Sequence, residues 1–85
     1  MKRIIIDVRE PDEYEQGHVE GALNIPPAEL LAGAKKLDSI PKDTELILYC
    51  KTGSRSNVSM QILTSLGFTN LINGINAAQV EHRYM

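Results

Sequence analysis

Glu45-Leu46-Ile47-Leu48-Tyr49-Cys50-Lys51-Thr52-Gly53-Ser54-Arg55-Ser56 changes character halfway along its length. Its first half, residues 45–50, is a nearly continuous apolar run. Such a run reads as a strand buried on both faces, the type found in parallel sheets. Its second half is small and polar. Beyond it Val58, Ile62, Leu63 and Leu66 recur at helical spacing until Gly67 ends the pattern. The segment is therefore strand, polar loop and helix, with Cys50 at the end of the strand.

The flanks repeat that alternation. Ile4-Ile5-Ile6-Asp7-Val8 is a second β-branched run, followed by Pro11 at a first helical position with Asp12 and Glu13 in the first turn. Gly17 keeps that helix short. Ala22-Leu23-Asn24-Ile25 reads as a short strand closed by Pro26-Pro27. Pro27 starts a helix carrying Leu30, Leu31, Ala34 and Leu37 at helical spacing, which Gly33 weakens. Pro41-Lys42-Asp43 is a turn, Asn70-Leu71-Ile72 a short last strand, and the tail from Ala77 to about Tyr84 weakly helical. Strands alternating with helices predict an α/β domain around a mainly parallel sheet. Ligands of such sheets bind where strands end and loops lead into helices. Cys50 lies at one of those ends.

The chain has 85 residues, which predicts a single domain, 1–85, without room for a second core. A domain of this size buries only about 60% of its unfolded surface, so its stability margin is thin. With 42% hydrophobic and 24% charged residues the composition argues against disorder. The formal charge is −2, Lys and Arg are not clustered, and aromatic residues are few, so no nucleic-acid surface is expected. A weakly acidic chain cannot steer anions by net charge, and any anion site must be local. The chain reaches Asp7 after a run of only three apolar residues, Ile4, Ile5 and Ile6. A signal peptide needs about 7–15 apolar residues and a spanning helix about 20. The expected address is the cytoplasm, or the periplasm for a processed mature form, with no membrane partner. Cys50 is the only cysteine, which excludes an internal disulfide, a Cys-based zinc site and an internal resolving thiol. His82 has no partner at ligand spacing, and neither metal nor cofactor is expected.

A polar strand-to-helix loop can curl so that several backbone N–H groups converge. Gly53 permits a turn that a residue with a Cβ resists. Such a nest, joined to the N-terminus of the next helix, is an anion cradle. Ser54 or Ser56 is placed to cap that helix, and Lys51 and Arg55 add positive charge beside the sulfur. A thiol at a helix N-terminus near Lys or Arg can have its pKa lowered to about 3.5–7.5 from about 8.5. The loop then both holds a thiolate and receives an anionic substrate. The competing reading is an inert buried cysteine closing an apolar strand. The Gly, Ser, Lys and Arg around Cys50 weigh against it.

Three segments resemble the rhodanese family. Ile6-Asp7-Val8-Arg9-Glu10-Pro11-Asp12-Glu13-Tyr14 is similar to its opening D-V-R-E-x-x-E-[YF] motif, and Gly17-His18-Val19-Glu20-Gly21-Ala22-Leu23-Asn24-Ile25-Pro26 to its G-H-[IV]-x-G-A-x-N-I-P pattern. Tyr49-Cys50-Lys51-Thr52-Gly53-Ser54-Arg55-Ser56 resembles the active-site loop C-x-x-G-x-R, and Leu66-Gly67-Phe68 the L-G-[FY] ending of the following helix. The resemblance implies a three-layer α/β domain with a mainly parallel central sheet of four to five short strands. It further implies that Cys50 attacks the outer sulfur of thiosulfate, that sulfite leaves, and that a thiophilic acceptor takes the sulfur from the resulting persulfide. Cyanide, a small thiol or an acceptor protein would serve. Backbone amides of Lys51, Thr52, Gly53, Ser54 and Arg55 would stabilise the persulfide, with the Lys51 and Arg55 side chains on the sulfite-like end. Asp7 and Arg9 are expected to tie strand ends together, His18 to satisfy backbone groups, and Gly17 and Gly21 to make turns.

The sequence departs from the family in two places. The usual opening strand and helix are missing, which favours four strands. The usual Gly-Gly and Trp near the C-terminus are replaced by Asn73-Gly74-Ile75-Asn76 and by no Trp, which bears on substrate shape and rate. Rival functions remain. Cysteine phosphatases and arsenate reductases use a longer C-x₅-R loop, whereas here Lys51 to Ser54 alone separate Cys50 from Arg55. A non-catalytic binding module or a persulfide carrier on the same fold is the other alternative, since a fold does not fix a function.

Overall fold

In the computed structural model, which describes residues 2–85, the two apolar runs lie side by side as parallel strands. Met1, the first residue of the expected domain 1–85, lies outside the described residues. β1 (Arg3–Asp7) pairs with β3 (Glu45–Cys50) from Arg3↔Glu45 to Asp7↔Tyr49. β2 (Leu23–Asn24) flanks β1, and β4 (Leu71–Asn76) flanks β3, so the order is β2-β1-β3-β4, parallel throughout. The four strands alternate with α1 (Pro11–Glu15), α2 (Pro27–Leu31), α3 (Ser54–Ser65) and α4 (Ala77–Tyr84) among the described residues. The expected α/β architecture with a four-stranded sheet is what the chain adopts.

β3 explains the layering. Side chains on a strand alternate between faces. Leu46, Leu48 and Cys50 join Leu30 of α2 and Leu63 of α3 in one apolar cluster, while Ile47 and Tyr49 join Val80 of α4 in another. Both clusters are buried, so the central strand has no polar face to show. Cys50 thereby points toward the α3 side, at the carboxyl edge of the sheet.

Three elements differ from the sequence reading. The helix from Pro27 ends at Leu31 instead of continuing to Leu37, because Gly33 and Ala34 both take left-handed backbone (φ 110 and 52). A one-turn 3₁₀ segment, Lys35–Leu37, then brings Leu37 back to the core and leaves Leu31 73% exposed. Val58, expected on the inner face of α3, is instead 56% exposed. The last strand is longer than Asn70–Ile72. It runs on to Asn76 through a bulge, where the register shifts between Leu48↔Asn73 and Tyr49↔Ile75. Gly74 is the residue that this bulge leaves over. A Cβ there would lie 2.5 Å from Val80 Cγ2 and 3.0 Å from Ile47 Cγ2, so α4 can settle against the sheet only over a glycine.

Candidate active site

The loop after β3 folds back over its own cysteine. Gly53 takes φ 93, which turns the chain so that its N–H donates to Cys50 Sγ at 3.1 Å. One helical turn later the Ser56 N–H donates to the same sulfur at 3.4 Å. The Ser56 hydroxyl lies 3.6 Å from it. These are the free donors of a helix N-terminus, aimed at one atom. Burial pushes the Cys50 thiol up, but hydrogen bonds from the Ser56 amide and hydroxyl and from the Thr52 and Gly53 amides outweigh it. The thiol pKa falls below its ordinary value. Cys50 is only 2% exposed beneath its own loop.

Neither serine caps α3 in the expected way. Gly53 is the N-cap residue, and no side chain caps there. The Ser54 hydroxyl pairs with that of Thr52 at 3.2 Å. The Ser56 hydroxyl is buried and points down, donating to Asn73 Oδ1 at 2.6 Å.

Asn73, in the β4 bulge, is the residue that the sequence reading did not single out. Its Oδ1 also accepts from the Ile75 N–H at 2.9 Å, and its Nδ2 donates to the Gly53 carbonyl at 3.1 Å. One amide thus joins the bulge, the start of α3 and the turn at Gly53. Ile75, held at φ 76, sits over that turn, its Cγ2 3.4 Å from where a Gly53 Cβ would be. The signal available in sequence was the replacement of Gly-Gly by Asn73-Gly74-Ile75-Asn76, which marked the loop without revealing the contact.

The two cations behave differently. Lys51 is exposed and makes no ion pair among the described residues. Arg55 is not free: its Nη1 and Nη2 donate to Glu13 Oε1 and Oε2 of α1 at 2.6 and 3.1 Å. Glu13 Oε1 accepts from the Glu10 N–H as well, at 3.0 Å. The Arg55 hydrogen bond, with that of the Glu10 amide, lowers the Glu13 carboxyl to about 2. Hydrogen bonding to Glu13 in turn raises the Arg55 pKa, and the nearby Cys50 and Glu10 charges add to the effect.

Beneath the loop a second network anchors the strand ends. Arg9 grips the fully buried Asp7 carboxylate through Nε and Nη2, at 2.9 and 2.7 Å, and also donates to the Gly17 carbonyl. Tyr49 donates its hydroxyl proton to Asp7 Oδ2 and accepts from the Val19 N–H, both at 2.9 Å. Asp7 and Arg9 therefore tie strand ends, as expected. His18 stacks on Tyr14 at 3.6 Å, and its Nδ1 donates to the Tyr14 carbonyl at 2.8 Å. Among the described residues, no group of three or more His, Cys, Asp and Glu is placed to hold a metal, and no helix is long and apolar enough to cross a membrane.

Comparison with known proteins supports this picture. The sequence profile of the rhodanese-like domain matches residues 1–79. The chain is 36% identical over 69 residues to the thiosulfate sulfurtransferase PspE of Escherichia coli, covering 80% of this chain and 64% of PspE. It is 35% identical over 80 residues to a mitochondrial protein of Schizosaccharomyces pombe, covering 82% of this chain and 56% of that one. It thus spans less than two thirds of either relative. A solved rhodanese with anions from Escherichia coli superposes with a TM-score of 0.79 at 32% identity, covering 91% of this chain and 89% of that one.

Proposed function

This chain belongs to the rhodanese family, and from that premise we propose that it is a sulfurtransferase whose sulfur-carrying nucleophile is Cys50. The observation that carries the reading is the convergence of the Gly53 and Ser56 amides on Sγ, which favours the anion over the thiol. A thiolate at pH 7 is the nucleophile that such chemistry needs.

In the first half-reaction the thiolate attacks the sulfane sulfur of thiosulfate. The new S–S bond forms as the old one breaks, and sulfite leaves with the electron pair. In the second, a thiophilic acceptor attacks the outer sulfur of the persulfide and returns the Cys50 thiolate. The Lys51–Arg55 loop would surround the outer sulfur, and its amides and the Lys51 and Arg55 cations would receive the donor's negative end. The anions of the solved Escherichia coli rhodanese fit a fold that receives anions. An acceptor protein is as compatible with this scheme as cyanide or a small thiol.

Incubation with thiosulfate and cyanide, with thiocyanate as readout, tests the proposal. Wild type should turn over and should gain the mass of one sulfur atom when thiosulfate is given alone. Cys50→Ser should do neither. Wild type that binds thiosulfate without gaining sulfur would point to a binding module.

A further inference from the structure

Ile75 is held in a backbone conformation that its side chain opposes. Its φ of 76 is left-handed, where a residue branched at Cβ crowds its own peptide. Glycine takes that conformation far more readily, and burial does not demand an isoleucine here, because Ile75 is 37% exposed. The close packing of the bulge falls one residue earlier, on Gly74 under Val80. Residues kept in sparsely populated conformations persist where their surroundings over-determine them, and they cluster at functional sites.

Two contacts hold Ile75, and both lead to the cysteine loop. Its N–H donates to Asn73 Oδ1 at 2.9 Å, on the same amide whose Nδ2 donates to the Gly53 carbonyl. Its Cγ2 and Cα lie 3.4 and 3.6 Å from where a Gly53 Cβ would be. Gly53 is thus enclosed. Its N–H donates to the Cys50 sulfur at 3.1 Å, its carbonyl is held by Asn73, and Ile75 closes the side that a Cβ would occupy. The rest of the loop supplies no such backing. Lys51, Thr52 and Ser54 are exposed, and the Thr52 and Ser54 hydroxyls pair with each other. Removing the Ile75 branch gives the turn room to move on that side, and a hydrogen bond weakens steeply as it lengthens and bends.

Resting on the sulfurtransferase reading, we infer that Ile75 is a positioning residue for Cys50: the methyl branch at its Cβ backs the Gly53 turn and keeps that amide on the sulfur. It acts through Gly53 and not on the substrate. An amide that donates to the sulfur favours the anion over the thiol, so the branch governs how much of Cys50 is thiolate at neutral pH. The strain at residue 75 is the counterpart of that rigidity. A glycine there would relax the backbone and leave the Gly53 turn without its backing.

Three variants test the assignment, each read by the pH dependence of Cys50 alkylation with iodoacetamide, by the sulfur mass gained from thiosulfate and by Tm. Ile75→Leu keeps the bulk but has no branch at Cβ. Ile75→Gly removes the branch and relaxes the backbone. Ile75→Val keeps the branch and serves as the rescue. Losing a hydrogen bond to a charged group outright would raise the alkylation midpoint by about one to two pH units. Loosening it should raise the midpoint by about half a unit to one unit in Ile75→Leu and Ile75→Gly, which at pH values below the midpoint leaves about three- to tenfold less thiolate. Ile75→Val should keep the wild-type midpoint. A merely structural role would change Tm without moving the midpoint with the branch. A midpoint that stays put in Ile75→Leu or Ile75→Gly, or that moves as far in Ile75→Val, overturns the assignment; either of the first two variants decides if the other does not fold. In each of these cases sulfur loading of the wild type from thiosulfate leaves the sulfurtransferase reading standing. If the wild type loads no sulfur onto a Cys50 that still alkylates, that reading fails and takes this one with it.

Discussion

Replacing Asn73 with alanine should loosen the cysteine loop and cost more stability than its surface position suggests. The side chain makes hydrogen bonds to the Ser56 hydroxyl (2.6 Å), the Ile75 amide (2.9 Å) and the Gly53 carbonyl (3.1 Å). Each is worth about 0.5–1.5 kcal/mol net, so full loss would total about 1.5–4.5 kcal/mol. Asn73 is only partly buried, and water can re-satisfy some of these groups. The expected cost is therefore about 2 kcal/mol, from a total of about 4–13 kcal/mol for a domain this size. Thermal unfolding followed by circular dichroism should then show Tm lower by roughly 8–16 °C. The Ser56 hydroxyl is buried and loses its shortest acceptor, falling back on the Gly53 carbonyl at 3.1 Å. A double-mutant cycle with Ser56→Ala should therefore return a coupling of about 0.5–1.5 kcal/mol. A Tm lowered by less than about 3 °C, or additive single-mutant losses, would refute the reasoning, because the three contacts would then not act as one staple.

The rate of Cys50 alkylation should titrate with a midpoint below the ordinary thiol value of about 8.5, and Ser56→Ala should move it upward; a raised midpoint in wild type contradicts the amide cradle. N-Methylmaleimide should react faster than maleimides with bulky N-substituents, because Cys50 is 2% exposed; equal rates would contradict that burial. Burial raises the Tyr49 hydroxyl from 10 to about 12, so its contribution to stability is complete below pH 10 and is lost as pH climbs through 12. Tyr49→Phe should cost about 1–3 kcal/mol at pH 7, by stranding the Val19 amide, and should flatten the alkaline limb of a stability–pH curve; an equally steep limb would sink the assignment. Arg55→Ala removes a cation and leaves Glu13 uncompensated beside the donor, so the thiosulfate KM should rise while stability changes by less than about 1 kcal/mol; unchanged kinetics would remove Arg55 from the site.

The elements legible in the sequence were those set by local chemistry. β3 carries its assignment in six consecutive residues that avoid charge after Glu45, and the structure begins and ends it at Glu45 and Cys50. Pro11 and Pro27 start helices at their own positions, as a fixed φ and a missing N–H dictate. What could not be read were features decided by backbone conformation and by how neighbouring elements pack. The length of β4 depends on a bulge that accommodates Gly74 under Val80, six residues further on in the chain. The premature end of α2 depends on two successive left-handed residues, and Ala34 gives no sign of that conformation in sequence.

The site divides along the same line. Cys50, Gly53 and Arg55 belong to one short loop whose composition announces an anion cradle. The amide of Ser56 belongs to it too, because the fourth donor of a helix N-terminus still points outward along the axis. Glu13 and Asn73 come from segments 42 and 17–20 residues away from their partners, and nothing local marks either as part of the site. Yet these two set its character. Asn73 fixes the turn that aims the Gly53 amide at the sulfur, and Glu13 decides how much of the Arg55 charge a substrate can feel. Two chains with an identical cysteine loop could therefore differ in donor preference. The difference would lie in the carboxylate that faces the arginine and in the amide that braces the glycine, neither of which the loop itself contains.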